Sequence, residues 1–73
     1  MTLNSVLLAG RAANVSRFPD GSVSFDMEVI QVALPASLAM TTAYLIKEGA
    51  FLRVVGRLEG GRLVVEHLRQ EGD

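Results

Sequence analysis

Apolar and polar residues alternate most regularly between Ser22 and Val29. Val23, Phe25, Met27 and Val29 share one side of an extended chain, and Ser24, Asp26 and Glu28 share the other. This alternation predicts a strand with one buried and one wet face. Because no turn signal follows before Leu34, we expect one long, bent strand that serves two positions of a sheet.

A strand, a turn and a helix are predicted around this alternating segment. Leu3 to Arg11 is apolar with a β-branched Val6, which favours a buried strand. A tight turn is predicted at Pro19-Asp20-Gly21. Pro35 suits the first position of a helix, so we expect a helix over about 36 to 48, with Gly49 as the left-handed residue just past its end.

The stretch "FLRVVGRLEGGRLVVEH", residues 51 to 67, reads as two strands folded back on Gly60-Gly61. With that turn, Leu58 faces Leu63, Gly56 faces Val65 and Val54 faces His67. One side of the hairpin is then apolar and faces the core: Leu52, Val54, Gly56, Leu58, Leu63 and Val65. The other side is cationic: Arg53, Arg57, Arg62 and Glu66, with Phe51, Val55 and Val64 among them.

The order of these elements is strand, long strand, helix, strand, strand. It predicts an all-β fold: a small five-stranded Greek-key barrel of the OB-fold type, with one short α-helix between strands 3 and 4. The whole chain, residues 1–73, is expected to form a single domain.

Composition narrows the classes of function. The chain has no cysteine and one histidine, so we expect no disulfide, no metal site and no cofactor. No nucleophile stands beside a base, and His67 is isolated; we therefore expect no enzymatic activity. A core this small favours self-association as a source of stability.

Charge and hydropathy point to a cytoplasmic protein. The net charge is −1, so nucleic-acid binding has to rest on charge placement rather than on excess charge. Val29 to Ile46 is uncharged and long enough for a membrane span, but Pro35 interrupts it. The N-terminus lacks the basic region of an export signal.

Two stretches resemble bacterial single-stranded DNA-binding proteins. They are "NSVLLAGRAANVSRFPDGSVSFDMEV" and "SLAMTTAYLIKEGAFLRVVGRLE", and together they cover most of the chain. The matching positions, in order, are Gly10-Arg11, Arg17-Phe18, Gly21, Phe25, Tyr44-Leu45, Lys47, Gly49 and Gly56-Arg57-Leu58. The family's two long hairpins, its tryptophans and its acidic tail have no counterpart here.

The resemblance implies single-stranded DNA binding without strong sequence preference, as in replication, repair and recombination. The implied contacts are phosphates on the arginines and bases on the aromatics, at Arg11, Arg17, Phe18, Phe51, Arg53, Arg57 and Arg62. Losing about three stacking platforms removes roughly 3–9 kcal/mol, whereas a micromolar complex totals about 8 kcal/mol. A homo-oligomer, dimer or tetramer, would recover affinity by joining weak sites.

The alternative is a protein-interaction module with little or no direct DNA binding, resembling the primosomal relatives of that family and serving a replication protein partner. Asp26 and Glu28 favour it, because they place negative charge on the strand face that binds oligonucleotides in OB-folds. The two classes stay open at this point.

Overall fold

Five strands close into a barrel in the computed structural model, which describes residues 5–71. Leu3, placed in the first predicted strand, lies outside that range. The elements are β1 (Val6–Arg17), β2 (Val23–Met27), β3 (Ile30–Leu34), α1 (Ala36–Thr42), a 3-10 helix (Ala43–Leu45), β4 (Phe51–Glu59) and β5 (Arg62–Gln70). The strand order β1-β2-β3-β5-β4, with α1 between β3 and β4, confirms the OB-fold prediction.

β1 is long enough to serve two parts of the barrel. Its first half pairs with β4, from Val6 to Arg11, and its second half pairs with β2, from Ala12 to Arg17. The second half carries a bulge between Ala13 and Ser16, where Asn14 has a φ of 55°. The Glu48 carboxylate accepts the backbone N–H groups of Asn14 and Val15 at 3.1 and 2.7 Å, so these donors stay satisfied.

The expectation of one bent strand through residues 22 to 34 is wrong. β2 and β3 are separate antiparallel strands, with Met27 opposite Ile30 and a two-residue turn at Glu28-Val29. Val29, expected on the core side, is 98% exposed at the tip of that turn. Glu28 has a φ of 58°, a conformation that favours Gly or Asn. A Glu-Val pair therefore carries no turn signal in the sequence.

The helix is shorter than predicted. It ends at Thr42 and tightens into the 3-10 helix, so residues 46 to 48 are not helical. Gly49 does adopt a left-handed φ of 82°, but it belongs to the following turn. There its N–H donates to the carbonyl of Ala12 at 2.7 Å, which ties the turn to β1.

The hairpin around Gly60-Gly61 is confirmed, with φ values of 58° and 81° at the two glycines. Leu58 faces Leu63 and Gly56 faces Val65, as expected. The predicted pairing of Val54 with His67 is wrong by one residue, because Val55 faces His67. Glu66 is thus an extra residue in β5, and the strand bulges there.

The core lies inside the barrel and is made of apolar side chains alone among the described residues. Leu52, Val54, Leu63 and Val65 point inward as predicted, with Phe25 among them. Leu58 is the exception: it is 36% exposed, because it sits near the hairpin end, beyond the rim of the barrel. Within residues 5–71, no helix has the length and apolar character to cross a membrane.

Candidate nucleic-acid interface

A groove of about 320 Å³ runs over the outer surface of β2, β3 and β5. The β1–β2 loop borders it on one side and the end of the β4–β5 hairpin on the other. OB-folds bind oligonucleotides at this place, on the strand 2–3 face between these two loops. We call it the groove; its lining residues are Phe18, Ser22, Val23, Ser24, Ala33, Leu34, Pro35, Glu59, Arg62 and Val64.

The floor of the groove is built of small side chains. Ser24 pairs with Ala33 across β2 and β3, and Ala33 pairs with Val64 across the parallel β3–β5 contact. All three lie on the outer surface, alternating with core residues such as Val23 and Leu34. Short side chains leave room for a flat group to lie against the sheet.

Phe18 forms the aromatic wall. The residue is 48% exposed. Its backbone is held in place because its N–H donates to the carbonyl of Ser22 at 3.0 Å and its carbonyl accepts the N–H of Gly21 at 2.9 Å. Asp20 closes the same loop by accepting both the N–H and the hydroxyl of Ser22. These hydrogen bonds, the hydroxyl's first, lower the pKa of the Asp20 carboxyl.

Arg62 forms the cationic wall. Within residues 5–71 its side chain has no hydrogen bond or ion pair, so its guanidinium can meet a ligand. Arg57 stands nearby, opposite Val64, but it is held between the carboxylates of Glu59 and Glu66. The hydrogen bond that Arg57 donates to the Glu59 carboxylate is the main reason that the pKa of Arg57 is raised. Its charge is therefore already balanced.

Two carboxylates, those of Asp26 and Glu28, lie at the end of β2 that is away from the groove. Asp26 accepts a hydrogen bond from Asn14 Nδ2 at 2.9 Å. Glu28 sits at the β2–β3 turn, and neither residue lines the groove. The repulsion of phosphate expected from these two carboxylates therefore applies beside the groove rather than in it.

Three of the predicted contact residues lie on a different surface, which we call the outer sheet face. It is the outward side of the sheet formed by β4, β5 and the first half of β1. Among the described residues, that half of β1 pairs with β4 and with no other strand. Successive rows across it are Leu7, Val55 and His67; Ala9, Arg53 and Arg69; and Arg11 with Phe51.

On this face Arg11 stacks over Phe51, with 5.4 Å between its guanidinium carbon and the ring centroid. Arg11 also donates to Gly49 O at 2.9 Å. Arg53 pairs with Glu71, Nε to Oε1 at 2.5 Å. Phe51 therefore has one ring side covered, and it is less open as a base platform than Phe18.

Arg17 has a structural role, because its side chain bonds to the helical segment. Its guanidinium donates to the carbonyl of Ile46 at 2.6 Å, just past the end of the 3-10 helix, and at 3.4 Å to the carbonyl of Ala43, which also accepts the N–H of Ile46. The side chain ties the end of β1 to the helical segment. It is not directed at the groove.

Of the seven predicted contact residues, the groove brings together Phe18 and Arg62, with Arg57 beside it. Arg11, Phe51 and Arg53 share the other face. The prediction missed Ser24, Ala33 and Val64, although Ser24 was assigned to a wet face. Among the described residues no three metal-ligating side chains come together.

Comparison with known proteins gives the fold and no family. No family model matches the sequence, and no curated protein matches it either. Thirty-seven chains of solved structures match. One is a chain in the crystal structure of the S. pombe Stn1–ten1 complex, with a TM-score of 0.79 and 14% identity, over 97% of this chain and 60% of that one. This chain thus spans less than two thirds of its match, and the likeness is one of fold.

Proposed function

We propose that this chain binds single-stranded DNA without strong sequence preference, in the groove between Phe18 and Arg62. The observation that supports it most is that the groove lies where OB-folds hold oligonucleotides. An exposed aromatic residue and an unpaired guanidinium line the groove together with a floor of small side chains. A base stacks on the ring, and a phosphate meets the guanidinium.

The proposed role is non-enzymatic and cytoplasmic, in replication, repair or recombination. It follows the resemblance of residues 4 to 29 and 37 to 59 to bacterial single-stranded DNA-binding proteins. Nothing in the mode of binding requires base-edge recognition, because every base has a π-face for stacking. Low sequence preference is therefore expected.

Affinity per chain is modest in this proposal. One stacked base contributes roughly 1–3 kcal/mol, and a single free arginine contributes one phosphate contact. We therefore propose that a homo-oligomer, a dimer or tetramer, binds one strand through several grooves. Among the described residues, the N-terminal half of β1 pairs with β4 along one edge and has no strand along its other edge. The unpaired edge offers backbone hydrogen bonds to a second chain.

A second candidate is a protein-interaction module with little or no DNA binding, serving a replication protein. Two observations favour it: Arg57 and Arg53 are already paired with carboxylates, and the net charge is −1. The matched solved structure is itself a complex of two named proteins.

Titration of fluorescently labelled oligo-dT at low salt, followed by anisotropy, separates these candidates. We expect saturable binding that weakens with salt, with a slope in log K of about −0.7 per phosphate contacted. Light scattering on the same samples gives the subunit count, for which we expect a dimer or tetramer. Flat anisotropy at high protein concentration contradicts the DNA-binding proposal and leaves the interaction module.

Matched variants place the contact. Phe18→Ala should weaken oligo-dT binding by about 5- to 150-fold, which corresponds to one lost stacking platform. Arg62→Gln should weaken it and flatten the salt dependence. Arg53→Gln, on the outer sheet face, is the control and should leave binding unchanged. Equal losses for all three variants would contradict binding in the groove.

A further inference from the structure

A second cavity, of about 380 Å³, opens on the outer sheet face. It is lined by Leu7, Arg53, Val55, His67, Leu68 and Arg69. Leu7, the second residue of β1, is 60% exposed although it pairs with Val55 of β4, so this apolar surface has no partner among the described residues. The groove and this cavity share no lining residue.

The rim of the cavity is arranged around a carboxylate. Arg53 and Arg69 both reach the carboxylate of Glu71, at 2.5 and 3.7 Å. The Nε atom of Arg53 and Oε1 of Glu71 are shielded from solvent. The residue that follows β5 thus fills an anion position at the edge of an apolar hollow.

We propose that the outer sheet face docks a peptide segment of a partner protein in which a carboxylate stands next to a bulky aliphatic side chain. The carboxylate takes the place of Glu71 between Arg53 and Arg69. The aliphatic group fills the hollow over Leu7, Val55 and Leu68. Glu71 is then an internal competitor that an incoming carboxylate displaces.

Charge and lining favour this occupant over two others. A second copy of the chain would bring Arg11, Arg53 and Arg69 against the same arginines, with Glu71 as the one carboxylate of the described part of this face. Single-stranded DNA would find three aliphatic side chains and no Phe, Tyr or Trp platform in the hollow, where His67 is the one ring among the lining residues. An acidic and aliphatic segment complements both the guanidinium pair and the apolar lining.

The probe is a fluorescein-labelled peptide in which aspartate alternates with leucine, followed by anisotropy with the full chain. Analogues in which lysine replaces aspartate, or serine replaces leucine, should bind at least about tenfold more weakly. Equal binding of either analogue would overturn the proposal, because it would remove the need for the carboxylate or for the aliphatic group.

Variants of exposed residues test the site itself. Leu7→Ser and Arg69→Gln should each weaken the peptide about fivefold or more. Glu71→Gln should tighten it, up to about fivefold, because it removes the competing carboxylate. Arg62→Gln, in the groove, is the control and should leave the peptide unaffected. Unfolding temperatures measured in parallel verify that Leu7→Ser and Arg69→Gln are folded.

Three results would overturn the proposal. One is wild-type binding by both Leu7→Ser and Arg69→Gln, or weaker binding by Glu71→Gln. Another is displacement of the peptide by oligo-dT, which would assign this face to nucleic acid. The third is a fall in the mass measured by light scattering for Arg69→Gln, a change away from the β1 edge, which would assign this face to a second copy.

Discussion

A Cβ atom on Gly56 would lie 2.0 Å from the carbonyl oxygen of Val64. The two strands of the hairpin approach this closely beside the bulge at Glu66, where only a residue without a side chain fits. Gly56 thus serves the backbone of the barrel rather than a ligand.

Gly56→Ala should therefore destabilise the chain by about 3 kcal/mol, at the upper end of overpacking penalties, or prevent folding. Chemical denaturation followed by circular dichroism measures this. The control is Gly60→Asn, because Gly60 has open space around it and a φ of 58° that Asn tolerates. A Gly56→Ala protein as stable as the control would contradict the close approach of the two strands at Gly56 and Val64.

Arg17 gives a second stability prediction. Arg17→Ala removes the guanidinium donor of the Ile46 carbonyl, whereas the Ala43 carbonyl still accepts the N–H of Ile46. We expect a loss of about 1–2 kcal/mol, since hydrogen bonds to charged groups are the stronger ones. Arg62→Ala should change stability by less than about 0.5 kcal/mol. Denaturation midpoints compare the two arginines; a reversed order would contradict the structural role assigned to Arg17.

The stability of the loop that carries Phe18 should depend on pH, because the Asp20 carboxylate accepts two hydrogen bonds that close this loop. Ser22 holds the pKa of that carboxyl below its ordinary value of 3.8. Because this pKa is lower in the folded chain than in the unfolded chain, the ionised Asp20 carboxylate stabilises the fold at pH values above the unfolded-state pKa. This stabilisation is lost as the pH falls through the folded-state pKa. NMR titration of the Asp20 carboxyl should show a midpoint below 3.8. Ser22→Ala should raise that midpoint, and Ser16→Ala, on β1, should leave it unchanged.

The groove should also accept an added stacking platform. The chain has no tryptophan, and Ala33 lies on the groove floor. Ala33→Trp should tighten oligo-dT binding by about 5- to 150-fold, the value of one stacked base. Ala9→Trp, on the outer sheet face, is the matched control and should have no effect on the affinity measured by anisotropy. Equal gains from both would mean that any exposed tryptophan suffices.

The sequence predicted those features that local chemistry determines. Gly60-Gly61 specifies a hairpin because both residues need positive φ, and the pairing of Leu58 with Leu63 follows directly. The turn at Glu28-Val29 escaped prediction because neither residue favours it; the surrounding strands impose the conformation. The bulge at Glu66 escaped as well, since it arises from strand pairing and has no signature in the residues themselves.

The site was predicted less completely, for a physical reason. Seven arginines and aromatics were predicted to be contact residues, but the partners of the arginines are remote in sequence: Arg17 meets Ile46, and Arg57 meets Glu66. Which guanidinium stays free depends on these contacts. The small floor residues were missed because Ser24, Ala33 and Val64 become one surface only when β2, β3 and β5 come together.

NMR mapping of oligo-dT on the isotope-labelled chain tests the central claim most directly, because it locates the ligand without altering the protein. The account predicts that the amide shifts of Phe18, Ser24, Ala33, Arg62 and Val64 change most during titration, while those of Leu7, Arg53 and Arg69 stay in place. Shifts concentrated on the outer sheet face, or no shifts at saturating oligo-dT, would contradict it.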